Sequence, residues 1–216
     1  MNGNLNTART LVPRYLVATS VLIASFALDG PARESRAIVL ALAPERLLLS
    51  VSELGNPAAL ATAIVILFAC GLFTHRSRLT RAACVLTTAL VGTGIIVLSL
   101  KWLAGRSYDG VFHGFGAGDG RISFPSGHTA MAFAACAVIG TVWRKARWPA
   151  FAVAAGVAVS RATLVHLLSD VVAGAVIGTL VGQLVTGWAA EVGFLTLDVD
   201  ARGKRSPAPG RPAPDG

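Results

Sequence analysis

Long stretches without a charged residue divide the chain, and their lengths predict membrane-spanning helices. Ala82–Leu100 contains 19 consecutive uncharged residues, and Val171–Ala190 contains 20. Both lengths match the roughly 20 residues that a helix needs to cross a hydrocarbon core about 30 Å thick. Pro57–Phe73 is apolar over nearly the same length. We therefore predict that these three segments span a membrane.

Three shorter uncharged segments complete the predicted bundle. They are Tyr15–Leu28, Thr129–Trp143 and Trp148–Ser160, with 14, 15 and 13 residues. At this length a buried or re-entrant segment competes with a span, although snorkelling arginines at the ends extend each segment by about a turn. The segment from Pro31 to Glu53 mixes charged and apolar residues and is expected to lie along the outer membrane interface. The prediction is an all-α integral membrane helical bundle with about six transmembrane helices.

The same pattern divides the chain into three regions. Residues 1–14 are predicted to be an N-terminal cytoplasmic segment, and residues 15–190 a membrane-embedded domain. Residues 191–216 form a tail that is expected to be disordered from about residue 202, because it is rich in proline and glycine and has little apolar surface to bury. The first span has an alternative as a cleaved signal peptide, since Ser25-Phe26-Ala27 resembles a small-residue cleavage site.

Composition supports the membrane prediction and changes the meaning of the net charge. Charged residues make up 14% of the chain and hydrophobic residues 54%, whereas soluble domains carry roughly 25% charged residues. The net charge of +8 would suit a nucleic-acid partner if the basic residues formed one face. They occur instead as short clusters between uncharged stretches, which is typical of membrane-protein loops. We therefore expect no nucleic-acid partner.

The positions of the basic residues predict the orientation. With the N-terminus in the cytoplasm, the inner segments hold 12 of the 19 Lys and Arg residues and the outer segments hold seven. Cytoplasmic loops usually carry this excess. The four tryptophans also lie at predicted span ends, as in an interfacial aromatic belt. The prediction is a bacterial inner-membrane protein with both termini in the cytoplasm.

Three groups of polar residues lie at the predicted outer ends of the spans, where ionisable side chains are functional candidates. They are Lys101 with Arg106, then Ser126, Gly127 and His128, and finally Arg161, His166 and Asp170. The charge bias places all three groups on one face without any assumption about their chemistry. We therefore predict that they form one site.

The cationic and helix-terminal members of these groups suit a phosphate. The side chains of Lys101, Arg106 and Arg161 are donors that match phosphate oxygens. Ser126 and Gly127 follow a proline and begin a helix, so that free N–H groups and the positive end of the helix dipole favour an anion.

The histidines supply the reactive groups. His166 and Asp170 are four residues apart and lie on one helix face, where the carboxylate can hold the imidazole tautomer and stabilise its cation. His128 is a second imidazole that is available to protonate a leaving oxygen. Together with the anion site, this pattern indicates phosphoryl transfer through a phosphohistidine.

In this order, Lys101, the Phe-Pro-Ser-Gly-His run ending at His128, and Arg161, His166 and Asp170 resemble the three-part signature of the type 2 phosphatidic acid phosphatase superfamily. These are integral membrane lipid phosphatases whose site is related to that of vanadium-dependent haloperoxidases. The resemblance implies that His166 is the nucleophile, Asp170 its partner and His128 the general acid. It also implies a reaction without metal or cofactor, and these phosphate ligands: Lys101, Ser126, Gly127 and Arg161.

The sequence departs from the family pattern at two places. The first motif has six residues between its Lys and an Arg-Pro pair, but Tyr108 and Asp109 stand at those positions, which leaves Arg106 as the nearest guanidinium. Four residues instead of five separate Arg161 from His166. In a continuous helix the missing residue would rotate Arg161 by about 100° relative to the histidine, whereas a loop between the two spans would absorb the shift.

The sequence therefore predicts an integral membrane phosphatase that hydrolyses lipid phosphate or pyrophosphate esters at the outer leaflet, with lipid phosphates and membrane lipids as partners. Three alternatives remain open at this stage. They are a lipid phosphotransferase with the same site, a non-catalytic lipid-binding or transport protein, and an intramembrane hydrolase with Ser126 as nucleophile. The glycine-rich segment Ser107–Ser123 is expected to form a flexible lid.

Overall fold

The computed structural model describes residues 16–115 and 122–195 of the chain. Its helices are α1 (Leu16–Ala27), α2 (Asp29–Glu34), α3 (Arg36–Leu42), α4 (Glu45–Glu53), α5 (Pro57–Phe73), α6 (Ser77–Ala104), α7 (Gly127–Val142), α8 (Arg147–Leu164) and α9 (Leu168–Glu191). A short 3-10 turn at Arg144–Ala146 joins α7 to α8. Within the described ranges, extended pairing is limited to two isolated bridges, Arg106 with Phe112 and Ser107 with Ile122. The predicted all-α fold is confirmed.

The count of about six spans stays a prediction, because helix length and composition identify only some of them. In the described part of the chain, α6 and α9 are long and apolar enough to cross a membrane by themselves. Two bent pairs pass as broken spans, α1 with α2–α3 at 63° and α4 with α5 at 50°, which gives two to four candidate spans. At 16 residues α7 is about 24 Å long and shorter than the hydrocarbon core. Helix α8 has 18 residues but carries arginines in its first and last turns.

Helix α6 continues past the predicted span at both ends because charged residues are compatible with a helix beyond the hydrocarbon core. It ends at Gly105, whose φ of +52° lies in the left-handed region. A Cβ atom at this position would lie 2.0 Å from the carbonyl oxygen of Gly114. The turn therefore requires glycine, and it sends the chain sideways just after Lys101.

Among the described helices, α7 and α9 share the most extensive contact. The contact depends on glycines at every fourth position of α9. Cβ atoms added at Gly174, Gly178 and Gly182 would lie 2.5, 2.0 and 2.7 Å from the carbonyl oxygens of Ser126, Ala130 and Ala134. Small residues at such spacing allow two helix backbones to approach closely. The approach places the start of α7 directly against the start of α9.

The outward faces of the helices are apolar. Ile23, Val65, Leu98 and Leu184 have exposed fractions of 67, 66, 67 and 64%. Soluble monomers rarely expose apolar surface on this scale. The apolar faces therefore fit an integral membrane protein.

The segment that was expected at the membrane interface is helical and packs partly against the bundle. Helix α4 lies along α8, where the hydroxyl of Ser160 donates a hydrogen bond to the carbonyl oxygen of Leu48. The same helix places Ser52 next to Arg161. The predicted cytoplasmic segment 1–14 and the predicted disorder from about residue 202 lie outside the described residues.

Basic residues gather at one end of the bundle. Arg78 in the first turn of α6 donates to the carbonyl oxygen of Val142 at the end of α7, with a distance of 2.5 Å. Arg144, Lys145 and Arg147 follow at the turn into α8. The candidate site residues lie at the opposite ends of these same helices.

Candidate active site

The structure brings the candidate residues together at one end of the bundle. They come from the last turns of α6 and α8, the first turns of α7 and α9, and the segments between these helices: Lys101, Arg106, Ser126, Gly127, His128, Arg161, His166 and Asp170. His128 interacts electrostatically with Lys101, Arg161 and His166, and Lys101 with Asp170 and Arg161. Residues from all three sequence motifs therefore share one electrostatic environment.

His166 and Asp170 form a buried pair at the junction of α8 and α9. The imidazole Nδ1 atom lies 3.4 Å from Asp170 Oδ2, which also accepts a hydrogen bond of 3.2 Å from the backbone N–H of Leu167. His166 is 3% exposed and Asp170 is fully buried. Because Nδ1 faces the carboxylate, Nε2 is the ring nitrogen left for a substrate.

The shortened spacing between Arg161 and His166 is absorbed by a break in the helix. Helix α8 ends at Leu164, and the backbone N–H groups of Val165 and His166 both donate to the carbonyl oxygen of Arg161, at 3.1 and 2.8 Å. Two N–H groups on one carbonyl close the helix end tightly. The 100° rotation expected for a continuous helix therefore does not arise, and the backbone of the histidine is bonded to that of the arginine.

The environment of His166 favours the neutral imidazole. Burial lowers the pKa of His166 below its ordinary value, and the hydrogen bond to Asp170 opposes this effect only in part. The nearby cations of Arg161 and Lys101 lower the pKa further. A neutral imidazole has a free lone pair, which a nitrogen nucleophile needs.

Lys101 is held by the segment that precedes α7. Its ammonium donates to the carbonyl oxygens of Ile122 and Ser123, at 2.7 and 3.1 Å. An ammonium has three donors, and among the described residues these two acceptors leave one donor for an anion. These contacts tie the first sequence motif to the second.

Arg161 has a buried donor that no acceptor satisfies among the described residues. Its Nη1 atom donates to Ser52 Oγ at 3.3 Å, whereas Nε is buried without a hydrogen-bond partner. A buried donor left unpaired costs about 1–3 kcal/mol. An anion that accepts this N–H would remove the cost, which is the behaviour expected of a phosphate ligand.

The start of α7 presents backbone rather than side-chain donors. Ser126 is fully buried, its hydroxyl lies 3.1 Å from Thr129 Oγ1, and its N–H donates to the carbonyl oxygen of Asp170 at 2.9 Å. The N–H groups of Gly127 and His128 in the first turn have no partner within the helix. These two N–H groups are better placed for an anion than the buried hydroxyl of Ser126.

Arg106 is bound to carboxylates and is 4% exposed. Its Nη1 atom donates to Ser169 Oγ at 2.6 Å and to Asp170 Oδ1 at 2.8 Å, and its Nη2 atom donates to Asp29 Oδ2 at 2.9 Å. Its Nε atom donates to the carbonyl oxygen of Gly110 at 3.2 Å. A guanidinium has five N–H donors, and these four contacts leave the second N–H of Nη2 for the predicted role of Arg106 as a phosphate ligand.

Two residues at the site were missed by the sequence analysis. Asp29 binds Arg106 and follows directly after the first uncharged segment, so its position at a span end was the available signal. Tyr108 occupies the position of the family's motif arginine, and its ring centroid lies 5.4 Å from that of His166. Its signal was the mismatch with the family pattern.

The described residues contain no group of three or more His, Cys, Asp and Glu side chains that could hold a metal ion. The expectation of a reaction without metal or cofactor remains a prediction.

Comparisons with known proteins identify a family and a fold for the chain. The family model described as the PAP2 superfamily matches residues 82–193, which include all eight candidate site residues. Among solved structures the chain is similar to "the first transmembrane PAP2 type phosphatidylglycerolphosphate phosphatase from Bacillus subtilis", with 20% sequence identity and a TM-score of 0.63 over 85% of this chain and 96% of that chain. A search of curated proteins gives no match. Because the family model covers more than half of the sequence and the solved structure has the same fold, this chain belongs to the PAP2 superfamily.

Proposed function

We propose that the protein is an integral membrane phosphatase that hydrolyses phosphate or pyrophosphate esters of lipids through a phosphohistidine at His166. The observation that carries this proposal is the buried pair of His166 and Asp170, which lies beside the cations of Lys101 and Arg161 at one end of an apolar bundle. Membership of the PAP2 superfamily and the likeness to a phosphatase structure support the same class of reaction.

The reaction proceeds in two displacements. Nε2 of His166 attacks the phosphorus atom and forms an N–P bond while the bond from phosphorus to the lipid oxygen breaks, and His128 gives that oxygen a proton. Water then attacks the phosphohistidine and loses a proton to His128. Breaking the N–P bond releases inorganic phosphate and restores both imidazoles.

The phosphate oxygens carry negative charge throughout and need fixed donors. We assign this task to Lys101, to the unpaired Nε of Arg161 and to the N–H groups at the start of α7. Asp170 holds Nδ1 of His166 and stabilises the positive charge that develops on the ring when Nε2 bonds to phosphorus. In phosphoryl transfer, the positioning of the reacting groups and the electrostatic stabilisation of their charges account for most of the catalysis.

The substrate is proposed to enter from the outer leaflet of a bacterial inner membrane. The basic clusters of Arg78 and of Arg144–Arg147 lie at the bundle end opposite to the site, and such clusters usually face the cytoplasm. An amphiphile can then present its headgroup to the site while its tail stays in lipid. Candidate headgroups are those of phosphatidic acid, a polyprenyl pyrophosphate, and phosphatidylglycerolphosphate, the lipid named for the similar structure.

The experiment that tests this proposal is phosphate release from a panel of these lipids by the detergent-solubilised protein. We expect release by the wild type and none by His166→Ala. The matched control is His75→Asn, which changes an exposed histidine between α5 and α6 at a positive φ that asparagine tolerates. Equal rates for the wild type and His166→Ala would overturn the mechanism.

Two other outcomes of this experiment would support the alternative functions. Transfer of a labelled phosphoryl group to a second lipid, without free phosphate, would show a phosphotransferase with the same site. Binding of every lipid phosphate without release of any product would show a non-catalytic member of the family.

A further inference from the structure

We propose that Asp29, in the N-terminal helices, is a positioning residue that fixes the nucleophile His166 through Ser169, Arg106 and Asp170. Asp29 lies outside residues 82–193, the part of the chain that the family model covers. The inference rests on the proposed function, because it assigns a role in the reaction of that same site.

Both carboxylate oxygens of Asp29 accept hydrogen bonds from the start of α9, close to the nucleophile His166. Oδ1 accepts a hydrogen bond of 2.8 Å from the backbone N–H of Ser169, and Oδ2 accepts one of 2.7 Å from the hydroxyl of the same serine. Oδ2 also accepts from Arg106 Nη2 at 2.9 Å, and the side chain is 13% exposed. One carboxylate from α2 therefore holds both the start of α9 and the guanidinium.

Asp29 caps the start of α9, because the side chain of that helix's own N-cap residue has no hydrogen-bond acceptor. An N-cap side chain normally accepts a hydrogen bond from the N–H of the second or third helical residue. The N-cap of α9 is Leu167, which has no acceptor, and Ser169 is the second residue of the helix. Asp29 provides the missing acceptor from another helix, and its negative charge is favourable at the positive end of α9.

The guanidinium of Arg106 carries the effect of Asp29 to the reacting pair. It lies between Asp29 and Asp170, with N–O distances of 2.9 and 2.8 Å. Because Arg106 is shared between two carboxylates, it neutralises the charge of Asp170 only in part. The remaining negative charge of Asp170 can stabilise the protonated imidazole of His166. The ring of Phe26 lies 5.1 Å from the guanidinium carbon and covers it.

Neighbouring residues of the N-terminal helices hold the backbone on both sides of the pair. Arg36 of α3 donates to the carbonyl oxygen of His166. Arg33 of α2 donates to the carbonyl oxygens of Tyr108 and Asp109, at 3.4 and 3.2 Å. The segment that contains Asp29 therefore contacts the nucleophile's own backbone and the loop that presents Arg106.

The charge on Asp29 predicts opposite pH effects for two substitutions. The ionisable groups around His166 come from every neighbouring element: Arg36 of α3, Lys101 of α6, Arg106 and Tyr108 of the following loop, His128 of α7, Arg161 of α8 and Asp170 of α9. With Asp29→Asn, the cation of Arg106 acts on Asp170 alone, so protonated His166 loses support and its titration moves to lower pH. With Arg106→Gln, two carboxylates remain without a cation, and the titration moves to higher pH.

The test compares Asp29→Asn with wild type in the hydrolysis of phosphatidic acid in detergent micelles. We expect kcat to fall by about tenfold or more while KM changes by less than about threefold, because the substitution disturbs the nucleophile and not the phosphate ligands. The acidic limb of the pH profile should move to lower pH. Asp29→Glu, which retains the charge, should restore the position of that limb.

The matched control is Glu34→Gln, which removes the same charge from an exposed position of the same helix. If Asp29→Asn has the same kcat and the same acidic limb as Glu34→Gln, the proposal is overturned. This outcome leaves the proposed function intact when His166→Ala is inactive. If Asp29→Asn does not fold, Ser169→Ala removes the hydroxyl link to both partners and should lower kcat by about threefold, and an unchanged kcat would overturn the proposal.

A second measurement does not depend on activity. NMR titration of the His166 ring should show a lower midpoint in Asp29→Asn and a higher midpoint in Arg106→Gln. Equal midpoints in the two variants would overturn the proposal. If the wild type releases no phosphate while these shifts are present, the proposed function fails and the positioning of His166 by Asp29 stands.

Discussion

The Nδ1 atom of His166 lies 3.4 Å from Oδ2 of Asp170, whose other oxygen accepts from Arg106 at 2.8 Å. One fully buried carboxylate thus joins the proposed nucleophile to a permanent cation. Asp170 is therefore both the proposed catalytic partner of His166 and a member of a buried ion pair. Substitutions there should affect the reaction rate and the stability separately.

Asp170→Asn should lower kcat by about 100-fold or more, because the amide cannot stabilise a positive imidazole. It should also lower the free energy of unfolding by about 1.5–3 kcal/mol, because Arg106 keeps its ion pair with Asp29 but loses a charged acceptor. Phosphate release and thermal unfolding measure the two effects. Asp109→Asn is the control at an exposed position, and a loss of stability without loss of kcat in Asp170→Asn would contradict the catalytic role.

The reaction should depend on pH through His166. Its pKa is lowered by burial, so the imidazole is neutral and nucleophilic above that pKa and protonated below it. The value of kcat/KM should therefore fall as the pH decreases through the lowered pKa, at a more acidic pH than for an ordinary histidine. A pH profile on a lipid phosphate checks this, and an acidic limb at or above the ordinary histidine value would contradict it.

Ser126→Ala should be much milder than His166→Ala. The hydroxyl of Ser126 is fully buried against Thr129, so its loss leaves the N–H groups at the start of α7 in place. We expect phosphate release to fall by less than about tenfold, as for loss of a neutral hydrogen bond of about 1 kcal/mol. Equal inactivation by the two substitutions would favour the alternative in which the serine is the nucleophile.

Much of the site could be predicted because its signals are local. The uncharged lengths located the helices, and the four-residue spacing placed His166 and Asp170 within reach of each other. The cations at span ends predicted an anion site, and the structure places two of them, Lys101 and Arg161, near His166. Each of these inferences needed only residues close together in the sequence, or a count of charges per loop.

The contacts of Asp29 and Arg106 could not be predicted in the same way. These residues are 77 positions apart, and their ion pair depends on how α2 packs against the loop after α6. The sequence likewise left open whether a helix or a loop joins Arg161 to His166. Uncharged length alone also did not show that α1 bends into α2 and α3, because it carries no information on the angle between successive helices.

Arg161→Gln should weaken phosphate binding more than it changes the protein's stability. The wild-type Nε is buried without a partner, so its loss removes an unsatisfied donor from the free protein and a ligand from the complex. We expect KM for a lipid phosphate and the inhibition constant of inorganic phosphate to rise by about tenfold or more, as for a lost hydrogen bond to a charged group of about 1.5–3 kcal/mol. Arg46→Gln, at an exposed position of α4, is the control. An unchanged inhibition constant in Arg161→Gln would contradict the assignment.

Gly178→Val should separate α7 from α9 and abolish the site without touching any of its side chains. A Cβ atom at Gly178 would lie 2.0 Å from the carbonyl oxygen of Ala130, so the two backbones must move apart. We expect the loss of stability to exceed about 2 kcal/mol and phosphate release to fall with it, because overpacking forces backbone shifts.

Gly187→Ala is the matched control, since it lies in the same helix with open space around its Cβ position. The alanine should leave activity unchanged and stabilise α9 by up to about 1 kcal/mol through its helix propensity. Equal thermal unfolding of the two variants would show that the close approach of the helices is not required.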